Sequence, residues 1–219
     1  MTSVNPDQAL VTSVEKSDEP APTHETIVLS GCMIHSPIDE AGLGWISQTL
    51  RCVQDIDEPP TGTFDTVNMT LQVVTFDDID TCSRIATKTL SLSQIASIGI
   101  RELLVNAVEH GNLGITFEEK SELLKFGRWQ EEIETRLSFE ENRGKFAAVE
   151  LRRNNGSFAV TIRDQGAGFD WQGYLESEER PSTLLHGRGM DLAMNNGFET
   201  VEYRGTGNGV CLSGASDLG

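Results

Sequence analysis

Apolar and polar positions along the chain follow two periods, and the switches between them mark the elements. From Asn68 to Phe76 apolar residues alternate with polar ones (Met69, Leu71, Val73, then Val74 and Phe76), which predicts a strand. The period then lengthens. Ile79, Cys82, Ile85, Ala86 and Leu90 recur at helical spacing, with Asp77 or Asp78 placed to cap that helix. A second helix is predicted from about Leu92 to His110, capped by Ser91 or Ser93 and closed by Gly111. Ile95, Ile98, Leu104, Val105 and Val108 cover much of its circumference, so burial along most of its length is expected.

The charged stretch from Phe117 to Lys145 carries Leu123, Phe126, Trp129 or Gln130, Ile133 and Leu137 near helical spacing. It predicts a surface helix with an apolar seam, Glu132 and Arg136 forming one of its ion pairs. A solvated face is the plain reading, and partner recognition the alternative. Alternation returns in FAAVELR (Phe146 to Arg152) and SFAVTIR (Ser157 to Arg163), and Asn154, Asn155 and Gly156 between them predict a tight hairpin turn. A polar segment from Trp171 to Leu185 leads to His186-Gly187-Arg188-Gly189-Met190, which opens a helix to about Asn195, stopped by Gly197. Two strands follow, Phe198 to Tyr203 and Gly209 to Leu212, joined by a turn over Gly205 to Asn208.

The first third is less regular. Residues 1–25 are acidic and proline-bearing and are expected to be disordered. His24 is followed by no helical period, which argues against a phospho-accepting histidine. Ile27 to Ile34 predicts a strand, and Trp45, Ile46, Leu50 and Val53 a short helix. Residues 26–66 therefore form a small β–α extension, either structural or a partner or dimer surface, ahead of a main domain over 67–213 with an insertion at about 115–146.

Charge and cysteines narrow the function classes. The 219 residues carry a net charge of −17, and the apolar fraction of 37% allows a real core. Such acidity disfavours non-specific binding to nucleic acid or to anionic membranes. A polyanionic ligand would need backbone donors or a cation at its site. Cys32, Cys52, Cys82 and Cys211 show no metal-site spacing. With no signal peptide and no spanning apolar run, the expectation is a cytoplasmic protein with reduced thiols.

Three motifs carry candidate chemistry. In IGIRELLVNAVEHGNL, Glu102 and Asn106 lie four residues apart and so share a helix face. A carboxylate and an amide on a buried helix either cap backbone or hold a metal or polar ligand. Asp164-Gln165-Gly166-Ala167-Gly168 ends a strand, where a carboxylate faces past the sheet edge and glycines permit close approach to a flat ligand. Gly187-Arg188-Gly189 opens a helix, leaving amides bare where the dipole is positive, which suits phosphate. Neither glycine motif has Walker or Rossmann spacing.

Taken in order, the three boxes resemble the GHKL (Bergerat-fold) ATPase superfamily of gyrase B, Hsp90, histidine-kinase catalytic domains and MutL. The resemblance covers about Val67 to Leu212. Within it, the ELLVNAVEHGN wording and the small size are similar to the bacterial anti-sigma-factor serine/threonine kinases of the SpoIIAB/RsbW type. The fold this implies is an α/β (α+β) two-layer sandwich, a mixed, mostly antiparallel sheet with helices on one face. The implied cofactors are ATP and Mg²⁺. By position Asn106 would hold Mg²⁺ and Glu102 would be the catalytic base. Asp164 would accept from the adenine amino group, with Gly166 and Gly168 shaping that wall. Gly187, Arg188, Gly189 and Met190 would bind phosphates, and residues 171–186 would form a lid. Glu109 and His110 have no assigned role; the plain reading of His110 is a packing residue at the helix end. The implied activity is phosphorylation of a STAS-domain anti-anti-sigma partner, with a sigma factor and a second copy of the chain as further partners. The alternatives are a non-catalytic ATP-binding switch and a detached histidine-kinase catalytic domain.

Overall fold

The computed structural model describes residues 24–29, 32–37, 66–172 and 198–215, with the backbone alone described at 24–29, 32–37, 66 and 67. The strands are β1 (His24–Leu29), β2 (Cys32–Pro37), β3 (Thr66–Val73), β4 (Ala147–Asn154), β5 (Ser157–Arg163), β6 (Thr200–Arg204) and β7 (Gly209–Ala215). They form one sheet in the order β1-β2-β3-β4-β5-β7-β6. Every pairing in it is antiparallel, so no mixed pairing is present among the described residues. The single N-terminal strand expected over Ile27 to Ile34 is in fact two, a hairpin that joins the sheet through Ile34 opposite Leu71 and His35 opposite Thr70. His24 and Glu25, expected in the disordered tail, open its first strand. The short helix expected at Trp45 to Val53 lies outside the described residues.

Register aligns the apolar faces of the strands into rows. Leu71, Val149, Ile162 and Val210 are cross-strand neighbours in turn, as are Met69, Leu151, Val160 and Leu212. All eight are buried. Both rows face the helices, while alternate residues such as Glu150, Arg152 and Arg163 line the opposite face. This is a two-layer sandwich, one sheet face packed and the other wet, as period-two alternation requires.

Two helices cover the packed face. Helix α1 (Phe76–Leu90) starts at Thr75, whose hydroxyl accepts from the Asp78 amide at 3.2 Å, while Asp78 Oδ2 accepts from the Thr75 amide at 2.8 Å. Asp78 thus completes a capping box instead of being the cap. Ile79, Cys82, Ile85, Ala86 and Leu90 are fully buried, as their spacing predicts. Helix α2 (Gln94–Asn106) is capped by Ser93. Small polar side chains mediate part of the α1–α2 contact: Thr87 Oγ1 donates to Ser97 Oγ at 2.7 Å.

Two expectations for α2 fail. Ile95 and Ile98 are 50% and 51% exposed, because α2 buries Ile100, Leu103 and Leu104 in the core instead. The chain also does not leave the helix at Gly111. It widens into a π-helical turn over Ala107–Asn112, with the Leu113 amide bonded five residues back to the Val108 carbonyl. The left-handed glycine that follows is Gly114, at φ +64°.

The insertion is not one helix. It breaks at Gly127, φ +66°, into α3 (Phe117–Lys125) and α4 (Trp129–Leu137), followed by a 3-10 turn at Glu140–Asn142. Strands β4 and β5 meet at Asn155-Gly156, both at positive φ (46° and 81°), as a two-residue hairpin demands. Cys82 and Cys211 are free thiols. Among the described residues no helix is long and apolar enough to cross a membrane.

Candidate functional site

A cavity of about 260 Å³ opens between the C-terminal half of α2, its π turn, and the ends of β5 and β7. Its floor continues one of the buried rows, through Ile162 and Val210 to Tyr203. Most of its lining is apolar, and a few polar groups converge on it, the usual make-up of a small-molecule site. Asn106 and Asp164, predicted from motifs 58 positions apart, both line it. Glu102, one turn before Asn106 on α2, is half-buried and is not part of the lining.

Asp164 is placed by close backbone packing. Its amide donates to the Asn208 carbonyl at 3.0 Å, and Asn208 Nδ2 donates back to the Asp164 carbonyl at 3.3 Å. Its carboxylate Oδ1 accepts from the Gly166 amide at 2.8 Å. A β-carbon on Gly111 would lie 2.3 Å from Asp164 Cγ, so only glycine lets the π turn pass there. Burial pushes the Asp164 carboxyl up from the ordinary aspartate range, partly offset by the hydrogen bond from Gly166. A partly desolvated carboxylate aimed into an apolar cavity is stabilised by any ligand that donates a hydrogen bond to it.

The motif glycines also admit neighbouring backbone. Gly166 and Gly168 were expected to open the backbone to a flat ligand. At Gly166 a β-carbon would meet the Gly111 carbonyl oxygen at 2.3 Å. Gly168, at φ +83°, lines the cavity but would meet the Thr206 carbonyl at 2.2 Å. The turn after β6 is thereby drawn against the Asp164 loop, with Gly207 packed on Phe169. This wall gave no signal in the sequence beyond a turn rich in glycine.

His110 proves to be a lining residue. Its Nδ1 is hydrogen-bonded to the Ile115 carbonyl, and its ring lies 4.2 Å from that of Phe117. Burial lowers its pKa, the carbonyl bond opposing the shift, so the ring is neutral near pH 7. With Nδ1 donating, Nε2 is an acceptor, buried and without a partner among the described residues. Phe117, from the insertion, also lines the cavity, a contribution the charged look of that segment concealed.

The remaining candidates, Gly187, Arg188, Gly189 and Met190, and residues 173–186 of the expected lid, lie outside the described residues. Among the described residues there is no group of three or more His, Cys, Asp or Glu that could hold a metal. Asn106 on the cavity wall carries one amide oxygen, a hard donor of the kind Mg²⁺ takes, and would be the residue to hold such an ion.

A family model of the histidine kinase-like ATPase domain matches residues 80–213, more than half of the chain. No curated protein and no solved structure matches.

Proposed function

Since the chain belongs to the histidine kinase-like ATPase domain family, an ATP-binding fold of GHKL type, we propose that it is an ATP-dependent protein serine/threonine kinase acting as an anti-sigma regulatory factor. Its substrate would be a serine or threonine on a STAS-domain anti-anti-sigma protein. The observation that carries the nucleotide reading is the meeting of Asn106 and Asp164 in one cavity. Asp164 accepts from the adenine amino group, and the apolar row through Ile162 and Val210 packs the base. Asn106 offers its amide oxygen toward the phosphates, where Mg²⁺, when bound, supplies charge neutralisation. Glu102 lies one helical turn before Asn106 and would be the base toward an attacking hydroxyl. Phosphoryl transfer needs positioning and electrostatics more than covalent help from the protein, which is the kind of help these groups would give.

One observation favours a second reading, a non-catalytic ATP-binding switch: Glu102 does not line the cavity. The two readings part on transfer of labelled γ-phosphate to a STAS-domain protein by wild type and by Glu102→Gln. The kinase reading expects label on wild-type reactions, lost by at least about a hundredfold in the variant, the usual range for a general base. ATP binding without transfer in either protein refutes the kinase and leaves the switch. Label that is lost in acid marks phosphohistidine and refutes the serine/threonine assignment.

A further inference from the structure

Residues 115–146 have the composition of a solvated surface element, yet three of their six cations, Lys120, Arg136 and Lys145, turn inward. The central helix and its π turn end at Asn112, where carbonyls lack helical partners and the dipole is negative. Lys145 Nζ donates to the Asn112 carbonyl at 3.1 Å, and Arg136 donates to the Leu113 carbonyl at 3.1 Å. A third cation, Lys120, reaches Glu109 Oε2 at 2.6 Å, with side-chain exposures of 12% and 0%. The other oxygen of Glu109 accepts from the Trp129 indole at 2.8 Å. Trp129 packs edge-on against Phe76 at 5.0 Å, which ties the cluster to α1 as well.

Glu109 therefore has one partner on each helix of the insertion and none of its surface in water. A buried carboxylate with both oxygens engaged holds its partners to a fixed geometry, since losing either leaves a desolvated charge. Its place in the chain gives this a consequence for the site. Asn106, at the entry to the π turn, and His110, next to Glu109 within it, both line the cavity. Glu109 itself does not. A π turn is a rare backbone state found mostly at functional sites, and here the insertion contacts it at Glu109 and Asn112.

We propose that Glu109, clamped by Lys120 and Trp129, is a positioning residue for the nucleotide site. It fixes the wide turn that sets Asn106 and His110 against the ligand, which makes the 115–146 insertion part of the binding apparatus. The role rests on the ATP-site reading above. Trp129→Phe keeps the ring against Phe76 and removes only the indole N–H. Glu109→Gln removes the charge and leaves Lys120 without its counter-ion.

The test uses the full chain and Mg-ATP as the probe. Calorimetric Kd is measured well below the unfolding temperature of each variant, beside thermal unfolding without nucleotide and ligand-free amide NMR shifts of Asn106, His110 and Gly111. Glu109→Gln is expected to raise Kd about tenfold, and Trp129→Phe several-fold, with the three amides displaced in both. A pair that served only to hold the fold together would lower the unfolding temperature and leave Kd unmoved on folded protein. Should Glu109→Gln fail to fold, Trp129→Phe decides alone. Wild-type Kd in the folded variants overturns the positioning role and leaves the ATP site standing. Failure of wild type to bind Mg-ATP overturns the site reading itself, and this role with it.

Discussion

Replacing Gly111 by alanine should damage the site more than the fold, and the contact geometry sets the size of the effect. The added β-carbon would sit 2.3 Å from Asp164 Cγ, 2.5 Å from Oδ1 and 2.8 Å from Cβ. Ordinary carbon contacts lie near ~3.5–4.0 Å, so more than an ångström must be recovered. Asp164 cannot give way freely, because its backbone is bonded to Asn208 on both sides and its carboxylate holds the Gly166 amide. The π turn is equally confined, since Gly166 already packs on the Gly111 carbonyl. Overpacking of this kind costs ~1–3 kcal/mol. A fall of about 2–4 °C in unfolding midpoint per kcal/mol is expected for a domain of this size. The effect on ligand is larger in proportion, because the group displaced is the acceptor itself. Loss of one hydrogen bond to a charged group, ~1.5–3 kcal/mol, corresponds to a Kd raised roughly 10- to 150-fold. Gly144→Ala is the control: its φ is +81° but nothing lies within 4 Å of the new β-carbon. It should cost ~1–2 kcal/mol of backbone strain and leave nucleotide affinity alone. Thermal unfolding and displacement of a fluorescent ATP analogue read both quantities. Gly111→Ala with wild-type affinity would refute the reasoning, whatever its stability.

The same geometry sets the response to acid and to loss of a helix cap. Because burial raises the Asp164 carboxyl, nucleotide affinity should fall on acidification at a higher pH than an ordinary aspartate would give, and Asp164→Asn should lack that limb; a pH series of Kd checks it. The sign for the ligand-free fold is the reverse. The raised group favours folding below its unfolded pKa, and that contribution is lost as pH rises through the folded value. Thr75→Ala, which removes one half of the α1 capping box, should cost about 1 kcal/mol in denaturant unfolding without changing Kd, since Thr75 does not line the cavity.

Much of this architecture is legible in the chain. Alternation located β3, β4 and β5, the Asn155-Gly156 turn fixed their hairpin, and five apolar positions set the inward face of α1. The motifs on α2 and at the end of β5 named two residues that the fold brings into one cavity. What failed has physical causes. Ile95 and Ile98 fit a helical stripe, but a stripe does not say which side the sheet takes, and both face outward. The π turn has no propensity signature, and residues 115–146 contact it from outside its own helix. Phe126 fits the apolar seam yet is 73% exposed, because the Gly127 break redirects the chain just after it. Glu109 sits in a motif whose neighbours drew the attention, and its partners Lys120 and Trp129 lie 11 and 20 residues on, beyond any local pattern.

The central claim, that Asn106 and Asp164 define a site for Mg-ATP, is tested most directly by calorimetric titration of the purified full chain with ATP, with and without Mg²⁺. Wild type should bind with a Mg-dependent affinity, and Asp164→Asn should weaken binding by roughly tenfold or more. No binding at millimolar ATP, or equal binding by Asp164→Asn, would contradict it.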